Sequence, residues 1–508
     1  MKYRRRNFGG ACEPDSIKEF ASDIGKEKIM NSILKKIRQS DAFNKENRVS
    51  RIKAVILMSL FTFTFLEAEF LFVDMISCTV SGDKSVNAQN YALGASVVGF
   101  ALYPLYSRLC KKALQSVISI VAAVLSVVCL FLICRHSTYA FTLCMGLVLF
   151  LILGLFGSAV FYKSLCLLED NTYIARLAGL SYMLGTLLQI ANNNLIHIDI
   201  IEAAVLSLFI LLLAVMLIRA EKNSIVPAFP KNEADEKTDK AGKEVVKISV
   251  LLVFLVAFMT CIFSTMDNAI TLYHANGVVN IGQWPRILLA LSGLAAGFLF
   301  DFDGRKYMSM IMYCVMILST ICLVILRFAG PIMLGLVNFY LSAGFFVVFF
   351  TASFMEIARY SKTPELLSGV GRAVNNFVAV LISAGSLALL NSDNNIAIIT
   401  IELILFVLAS IAAFFYTNKR KTFFDELSAT GGDKLSDKEI LKKLSEKFSL
   451  TPREAEVFGL LVNTEDGLQT IADNMYISRR TLERYVSAIY GKTGTKSRIG
   501  LVSLYNNI

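Results

Sequence analysis

Charge is what this chain has least of. Over 508 residues, 18% are Asp, Glu, Lys or Arg while 55% are hydrophobic, and the mean hydropathy is +0.59. A water-soluble chain of this length needs more polar surface to cover itself, so the composition argues against an ordinary soluble protein. Other features are missing too. The ten cysteines are scattered, mostly inside apolar runs (Cys129, Cys144, Cys261, Cys314 and Cys322), with no CxxC pair. They read as small hydrophobes, not as a disulfide or zinc framework. The three histidines, His136, His197 and His274, share no spacing that would join them at a metal. The opening "MKYRRRNFGG" is followed by a long polar stretch before any apolar run, which is not the pattern of a cleavable signal peptide. No P-loop, no nucleophile elbow and no inward-facing pair of His and carboxylate occurs. The expectation is therefore of a protein that is not an enzyme and needs neither metal nor cofactor.

What is present is a succession of apolar runs from Ile52 to Tyr416. Each has about 20 residues, the length that crosses roughly 30 Å of hydrocarbon. They fall near 52–73, 89–107, 113–134, 138–161, 173–194, 197–218, 248–272, 284–301, 308–327, 331–355, 366–390 and 395–416, so about twelve spans are expected. The second, fifth, eighth and eleventh are the least apolar, each holding several Gly, Ser, Asn or Arg. A charged connector, 220–247, lacks an apolar period and reads as a solvated linker dividing the spans six and six. Two halves of six spans suggest a duplicated transporter-type body.

Lys and Arg set the orientation, because cytoplasmic loops carry them in excess. With the N-terminus inside, the inner loops hold Arg108, Lys111 and Lys112; Lys163 and Arg176; the 219–247 cluster; Arg305 and Lys306; Arg359, Lys362 and Arg372; and "NKRK" at 418–421. The outer loops keep little beyond Lys84 and Arg135. The expected location is the bacterial cytoplasmic membrane, multi-pass, with both termini cytoplasmic.

Between the eighth and ninth spans stands "GFLFDFDGRKYM" (297–308). Gly297 permits close helix packing, Asp301 is placed to cap the next helix or pair with Arg305, and Arg305 and Lys306 anchor an inner turn. Gly297, Asp301, Gly304, Arg305 and Lys306 match G-x-x-x-D-x-x-G-R-[RK], so the body resembles the major facilitator superfamily. The matching first-half loop, 99–114, keeps Gly99 and cations but lacks the Asp and the second Gly. That departure argues against full transport activity.

Polar side chains inside spans are costly and so are candidates for function. Glu67, Glu69 and Asp74 lie in the first span, Asp267 and Asn268 in the seventh. Gln189 and Asn192–Asn194 end the fifth, Glu356 is in the tenth, and Arg372, Asn375 and Asn376 are in the eleventh. The resemblance implies that the first, fifth, seventh and eleventh spans line a central cavity. Glu67, Glu69, Asp267, Asn192 and Asn376 are thus candidates for binding a small molecule. Structural pairing is an equal reading for Glu67, Glu69 and Asp267, and wetting near span ends for the others, with Arg372 and Glu356 near the inner surface.

Beyond Tyr416 the apolar runs stop. Residues 417–447 read as a connector with Gly431 and Gly432, ending in a short helix with Ile440, Leu441, Leu444 and Phe448 on one stripe. In 450–507, Thr451, Pro452 and Glu454 make a capping box, with Val457, Leu460 and Leu461 buried behind it. A short helix with Ile471 and Ala472 facing in follows, then a third helix capped by Ser478. In the third, Leu482, Val486 and Ile489 point to the core, while Arg479, Arg480, Glu483, Arg484 and Ser487 take the opposite face. From Ser478 to Arg498 six cations stand against Glu483 alone, the basic side that phosphate contact requires. "LTPRE", Leu460-Leu461, Gly467, Ile471-Ala472, Ile477-Ser478, Thr481, Lys492 and Gly494 closely resemble the LuxR/NarL-type DNA-binding domain. The resemblance implies base contacts from Glu483, Arg484 and Ser487, phosphate contacts from Arg480, Thr481 and Lys492, with Arg479 and Lys496 on the same basic side, and pairing of two chains through the last helix. Glu483 departs from a position that is often basic, and Thr493 and Thr495 replace an apolar pair around Gly494.

The expected fold is all-α: a polytopic membrane helical bundle of about twelve spans with a six-plus-six pseudo-repeat, plus a small four-helix DNA-binding domain of helix-turn-helix type. Its parts are an N-terminal arm (1–50), the membrane domain (51–416), the connector (417–447) and the DNA-binding domain (448–508). The arm carries an amphipathic stripe at 16–40 that suits the membrane surface or the C-terminal domain equally. The expected role is a membrane-anchored bacterial transcriptional regulator whose membrane domain senses a small molecule or membrane state. Its partners are double-stranded DNA, the lipid bilayer, an unidentified small molecule and a second copy of the chain on DNA. The rival is a secondary transporter with a regulatory tail.

Overall fold

The computed structural model describes residues 48–135, 137–168, 173–221, 236–278, 285–329, 332–392, 395–431 and 441–506, the last stretch without 442, 443, 446, 465 and 496. The amphipathic stripe at 16–40, His136 and Lys496 lie outside the described residues. The chain divides into two compact units, Met1–Asn418 and Lys419–Ile508.

Residues 48–431 form a succession of helices: α1 Arg48–Ser77, α2 Gly82–Leu109, α3 Lys112–Ile133, α4 Tyr139–Leu167, α5 Ile174–Leu195, α6 Asp199–Glu221, α7 Glu236–Ala275, α8 Arg286–Phe300, α9 Met308–Ala329, α10 Ile332–Ala358, α11 Pro364–Leu390 and α12 Asn395–Gly431, the last beginning in the first unit and ending in the second. Among the described residues nine are long and apolar enough to cross a bilayer: α1, α3 to α7, and α10 to α12. α8 and the described part of α9 are shorter apolar helices. α2 is long but buries Gln89, Asn90 and Ser96, because its neighbours are other helices rather than lipid.

Three boundaries differ from the sequence reading. The connector expected over 220–247 is already helical from Glu236, since Glu, Lys and Ala favour helix and Val245 is buried. The connector expected from 417 is helical as far as Gly431. There Phe423 is buried and the Arg420 guanidinium lies 4.9 Å from the centre of the Phe424 ring. Arg48–Ser50, assigned to the arm, begin α1.

Packing repeats between the halves. α2 lies against α4 and α11, and α8 lies against α10 and α5, so the second and fifth helices of each half cross to the other half. Missing side chains allow these approaches. A Cβ on Gly154 would stand 2.0 Å from the Ser96 carbonyl oxygen of α2, and one on Gly344 would stand 2.7 Å from the Gly293 amide of α8. α3 and α12 turn much of their apolar surface outward, including Val117, Val121, Val124, Ile404, Val407 and Phe414, as helices against lipid do.

The second unit holds α13 Pro452–Asn463, α14 Leu468–Asn474, α15 Arg479–Thr493 and α16 Arg498–Asn506. Their core contains Val457, Phe458, Leu461, Ile471, Ala472, Leu482, Val486, Ile489, Leu501 and Tyr505, with Leu444 and Leu450 from the preceding segment.

The glycine crossings give a test. Gly154→Leu should cost several kcal/mol, because overpacking against backbone cannot relax by rotamer change. A lowered unfolding temperature or loss of the monodisperse peak in detergent reads this out. Gly385→Ala, whose Cβ would meet nothing within 4 Å, should leave both unchanged.

Candidate nucleic-acid interface and membrane cavity

The loop between α8 and α9 is built around a buried carboxylate. Asp301 accepts from the Ala175 and Arg176 amides at the start of α5, at 3.3 and 2.7 Å. It also accepts from Arg305 Nη1 at 2.9 Å. Arg305 Nε in turn donates to Glu356 Oε1 of α10 at 2.9 Å. The expected pairing of Asp301 with Arg305 is present, but the helix it caps is α5, not the next one. Placing an anion at a helix start satisfies orphan amides and the macrodipole together. Gly297 lets this happen, since its Cβ would stand 2.8 Å from the Ala175 carbonyl oxygen. Asp303 and Gly304 take the left-handed backbone, φ +48° and +63°. In the first half Arg108 of α2 instead pairs with Glu365 in the first turn of α11.

A cavity of about 160 Å³ lies within the first unit, lined among others by Glu69, Gln89, Asp267, Arg286, Arg372 and Asn376. Glu69, Asp267 and Asn376 were expected there. Glu67 and Asn192 are not among the lining residues: Glu67 is fully buried and accepts from Asn192 Nδ2 at 2.8 Å. Successive residues of one helix point to different sides, which separates Glu67 from Glu69. Asn376 is held by donating to Ser96 Oγ at 2.8 Å. Arg372 lines the cavity with its guanidinium 4.8 Å from the centre of the Phe65 ring. Arg286 escaped the sequence reading because it stands at the start of a span, where loop cations are ordinary.

In the second unit the third helix is placed as the periodicity predicted. Ser478 caps α15 by accepting from the Thr481 amide at 3.2 Å, and Gly494 ends it at φ +72°. The six cations counted in sequence have different fates. Arg498 is tied to the carbonyl oxygens of Leu461 and Asp466, both at 2.7 Å, and of Thr464. Lys492 Nζ reaches Glu454 Oε2 at 2.6 Å and the Ser449 carbonyl at 3.1 Å, pinning the end of α15 to the capping box of α13. Arg479 pairs with Glu483 at 3.0 Å, which neutralises the carboxylate that departed from the usual pattern. Arg480 and Arg484 are exposed one turn apart, with no ion pair among the described residues, and Ser487 continues their stripe. Thr481 shares the cap, its hydroxyl 2.8 Å from Ser478 Oγ. Thr493 and Thr495 bond each other at 2.9 Å.

The arrangement is a short helix, a turn and a longer helix whose outer face carries Arg480, Arg484 and Ser487, a layout suited to the major groove. Residues 448–505 match the family of bacterial regulatory proteins, luxR family. These residues form a luxR-type DNA-binding domain. Its match among named proteins includes the "Probable transcriptional regulator ycf29" of Cyanophora paradoxa, 41% identical over 73 residues, which is 14% of this chain and 33% of that protein. The chain thus spans about a third of that relative's length. The membrane unit is similar in fold to a major facilitator superfamily transporter, FucP, in the outward conformation (TM-score 0.50, 11% identity, 73% of this chain and 99% of that one). It is similar to the same degree to a variant of the E. coli fucose:proton symporter FucP (TM-score 0.50, 12% identity, 74% and 99%). The chain therefore joins a membrane unit of major-facilitator fold to a luxR-type domain.

Two features of the luxR-type domain are testable in the full chain. The Lys492 ammonium and the Thr451 amide hold the Glu454 carboxyl below the usual carboxylate range. A depressed folded value means the pair stabilises the domain at neutral pH and is lost as pH falls below that range. The protection factors of α13 and α15, corrected for the intrinsic pH dependence of amide exchange, should fall on acidification in the native protein and show less of this dependence in Glu454→Gln. Separately, Tyr476 ends α14 at φ +54° with its side chain 96% exposed. A left-handed residue with a Cβ costs about 1 kcal/mol, so Tyr476→Gly should raise amide protection of α14 and α15 several-fold.

Proposed function

We propose that the protein is a membrane-anchored bacterial transcriptional regulator in which the membrane unit senses a small molecule or membrane state and so controls DNA binding. The observation that carries this reading is covalent: a luxR-type DNA-binding domain shares one chain with a membrane unit of major-facilitator fold. A ligand can shift DNA binding only if it prefers one conformation of the membrane unit over another, and the polar cavity between its helices supplies a place for such a preference. In this reading both ends of the chain face the cytoplasm, where the chromosome is, and the role requires no catalysis by the chain itself. Two chains meet on DNA through the luxR-type domain. Arg484, Ser487 and Glu483 face bases, with Arg480 on phosphate, while Lys492 acts through the fold of the domain. The cavity also favours a second reading, a secondary transporter with a regulatory tail.

Genome-wide DNA occupancy of the tagged full-length protein tests the first reading. Discrete peaks are expected, and they should vanish in an Arg480→Ala, Arg484→Ala variant found in the membrane at equal abundance. Absence of peaks in cells grown across varied nutrients, together with substrate uptake by the chain truncated after residue 431, would favour the transporter.

A further inference from the structure

We propose that the cavity of the membrane unit takes a small zwitterion, its carboxylate met by Arg286 and Arg372 and its ammonium by Glu69 and Asp267. A consequence for DNA binding rests on the sensing reading; the chemistry of the cavity does not. Four charges from four helices line one space: Glu69 from α1, Asp267 from α7, Arg286 from α8 and Arg372 from α11. Among the described residues none of the four lies within 4.0 Å of an opposite charge. Elsewhere in the same unit a buried guanidinium is fully paired, Arg305 touching Asp301 and Glu356 at 2.9 Å each. The fold thus closes buried charge pairs where structure needs them, and holds these four apart.

Separated charges in a low-dielectric site are costly, and the cost falls when a guest supplies the opposite charge to each side. Glu69 and Arg372 are also held in place: Glu69 Oε1 accepts from Gln89 Nε2 at 2.8 Å, and the Arg372 guanidinium rests against the Phe65 ring. Arg286 Nε is buried without a hydrogen-bond partner, a donor open to a guest. Two basic and two acidic side chains face one space, so a plain cation or a plain anion would each leave one pair unmet. A neutral polyol can hydrogen-bond the four groups but offsets the charge of none. Phe70, Phe263 and Phe339 supply an apolar wall for a side group. The volume, about 160 Å³, suits a guest of single amino-acid size, since a cavity of about 150 Å³ holds benzene.

The test uses the full-length protein in lipid nanodiscs, with melting temperature and calorimetric affinity as readouts. The probes are the standard amino acids, and for each binder the matched amine lacking the carboxylate and the matched acid lacking the ammonium. At least one amino acid should raise the melting temperature by several degrees and bind tenfold or more tighter than either matched probe. Arg372→Gln and Asp267→Asn should each weaken it tenfold or more, and the charge-conserving Arg372→Lys and Asp267→Glu less so. Melting of the unliganded variants controls for folding. An amine or an acid binding as tightly as its zwitterion, binding by a polyol such as inositol with no amino acid bound, or no shift from any amino acid would each overturn the assignment. DNA occupancy with and without the bound amino acid separates the two claims. An unchanged pattern would sink the sensing reading while leaving the zwitterion in its cavity.

Discussion

A charge in hydrocarbon must be paired, wetted or moved to an end of its helix, and the membrane unit is organised by that constraint. Asp301, Arg305 and Glu356 are taken out of water and closed on one another. Because Asp301 also accepts two amides from α5, the closure ties α5, α8 and α10 at one end of the bundle. Helix ends use cations in the same way. Lys163 donates to the Leu217 carbonyl at 2.9 Å, and Arg359 to the Leu168 carbonyl at 2.8 Å, near the C-terminal ends of α6 and α4. Against this background the open spacing of the cavity charges is the exception.

The two halves solve the same problem with opposite signs. In the second half the loop contributes the anion and α5 the amides. In the first half α2 contributes the cation Arg108 and α11 the anion Glu365. Tyr103 stands where the repeat would put Asp301, so the amide cap is lost and a partly exposed ion pair takes its place. Such a pair is worth little next to a buried, hydrogen-bonded one, so the duplicated body carries unequal fastenings.

Much of this was legible in the sequence because it rests on periodicity and cost. Apolar runs of bilayer length located the helices, and the 3.6-residue stripe of Leu482, Val486 and Ile489 set the inner face of α15. The boundaries were less legible. α7 and α12 continue into charged sequence, since helix formation needs only good helix formers and a buried stripe such as Val245 or Phe423, not apolarity. Partner choice was hidden as well. Glu67 and Glu69 look alike in sequence, yet a rotation of about 200° around the helix separates a carboxylate locked to Asn192 from one that faces the cavity. Lys492 and Arg484 are both cations on one helix, and only tertiary structure shows that the first is held by Glu454.

The Arg479–Glu483 pair has a consequence for how the luxR-type domain holds DNA. Non-specific affinity grows with the number of small ions a protein drives off the phosphates. A guanidinium that already carries its own carboxylate displaces fewer of them. With Lys492 and Arg498 engaged inside the domain, Arg480 and Arg484 are the cations of α15 left to release counterions among the described residues. In the role proposed above, that leaves fewer counterions to release, and the affinity for arbitrary sequence falls less steeply with added salt.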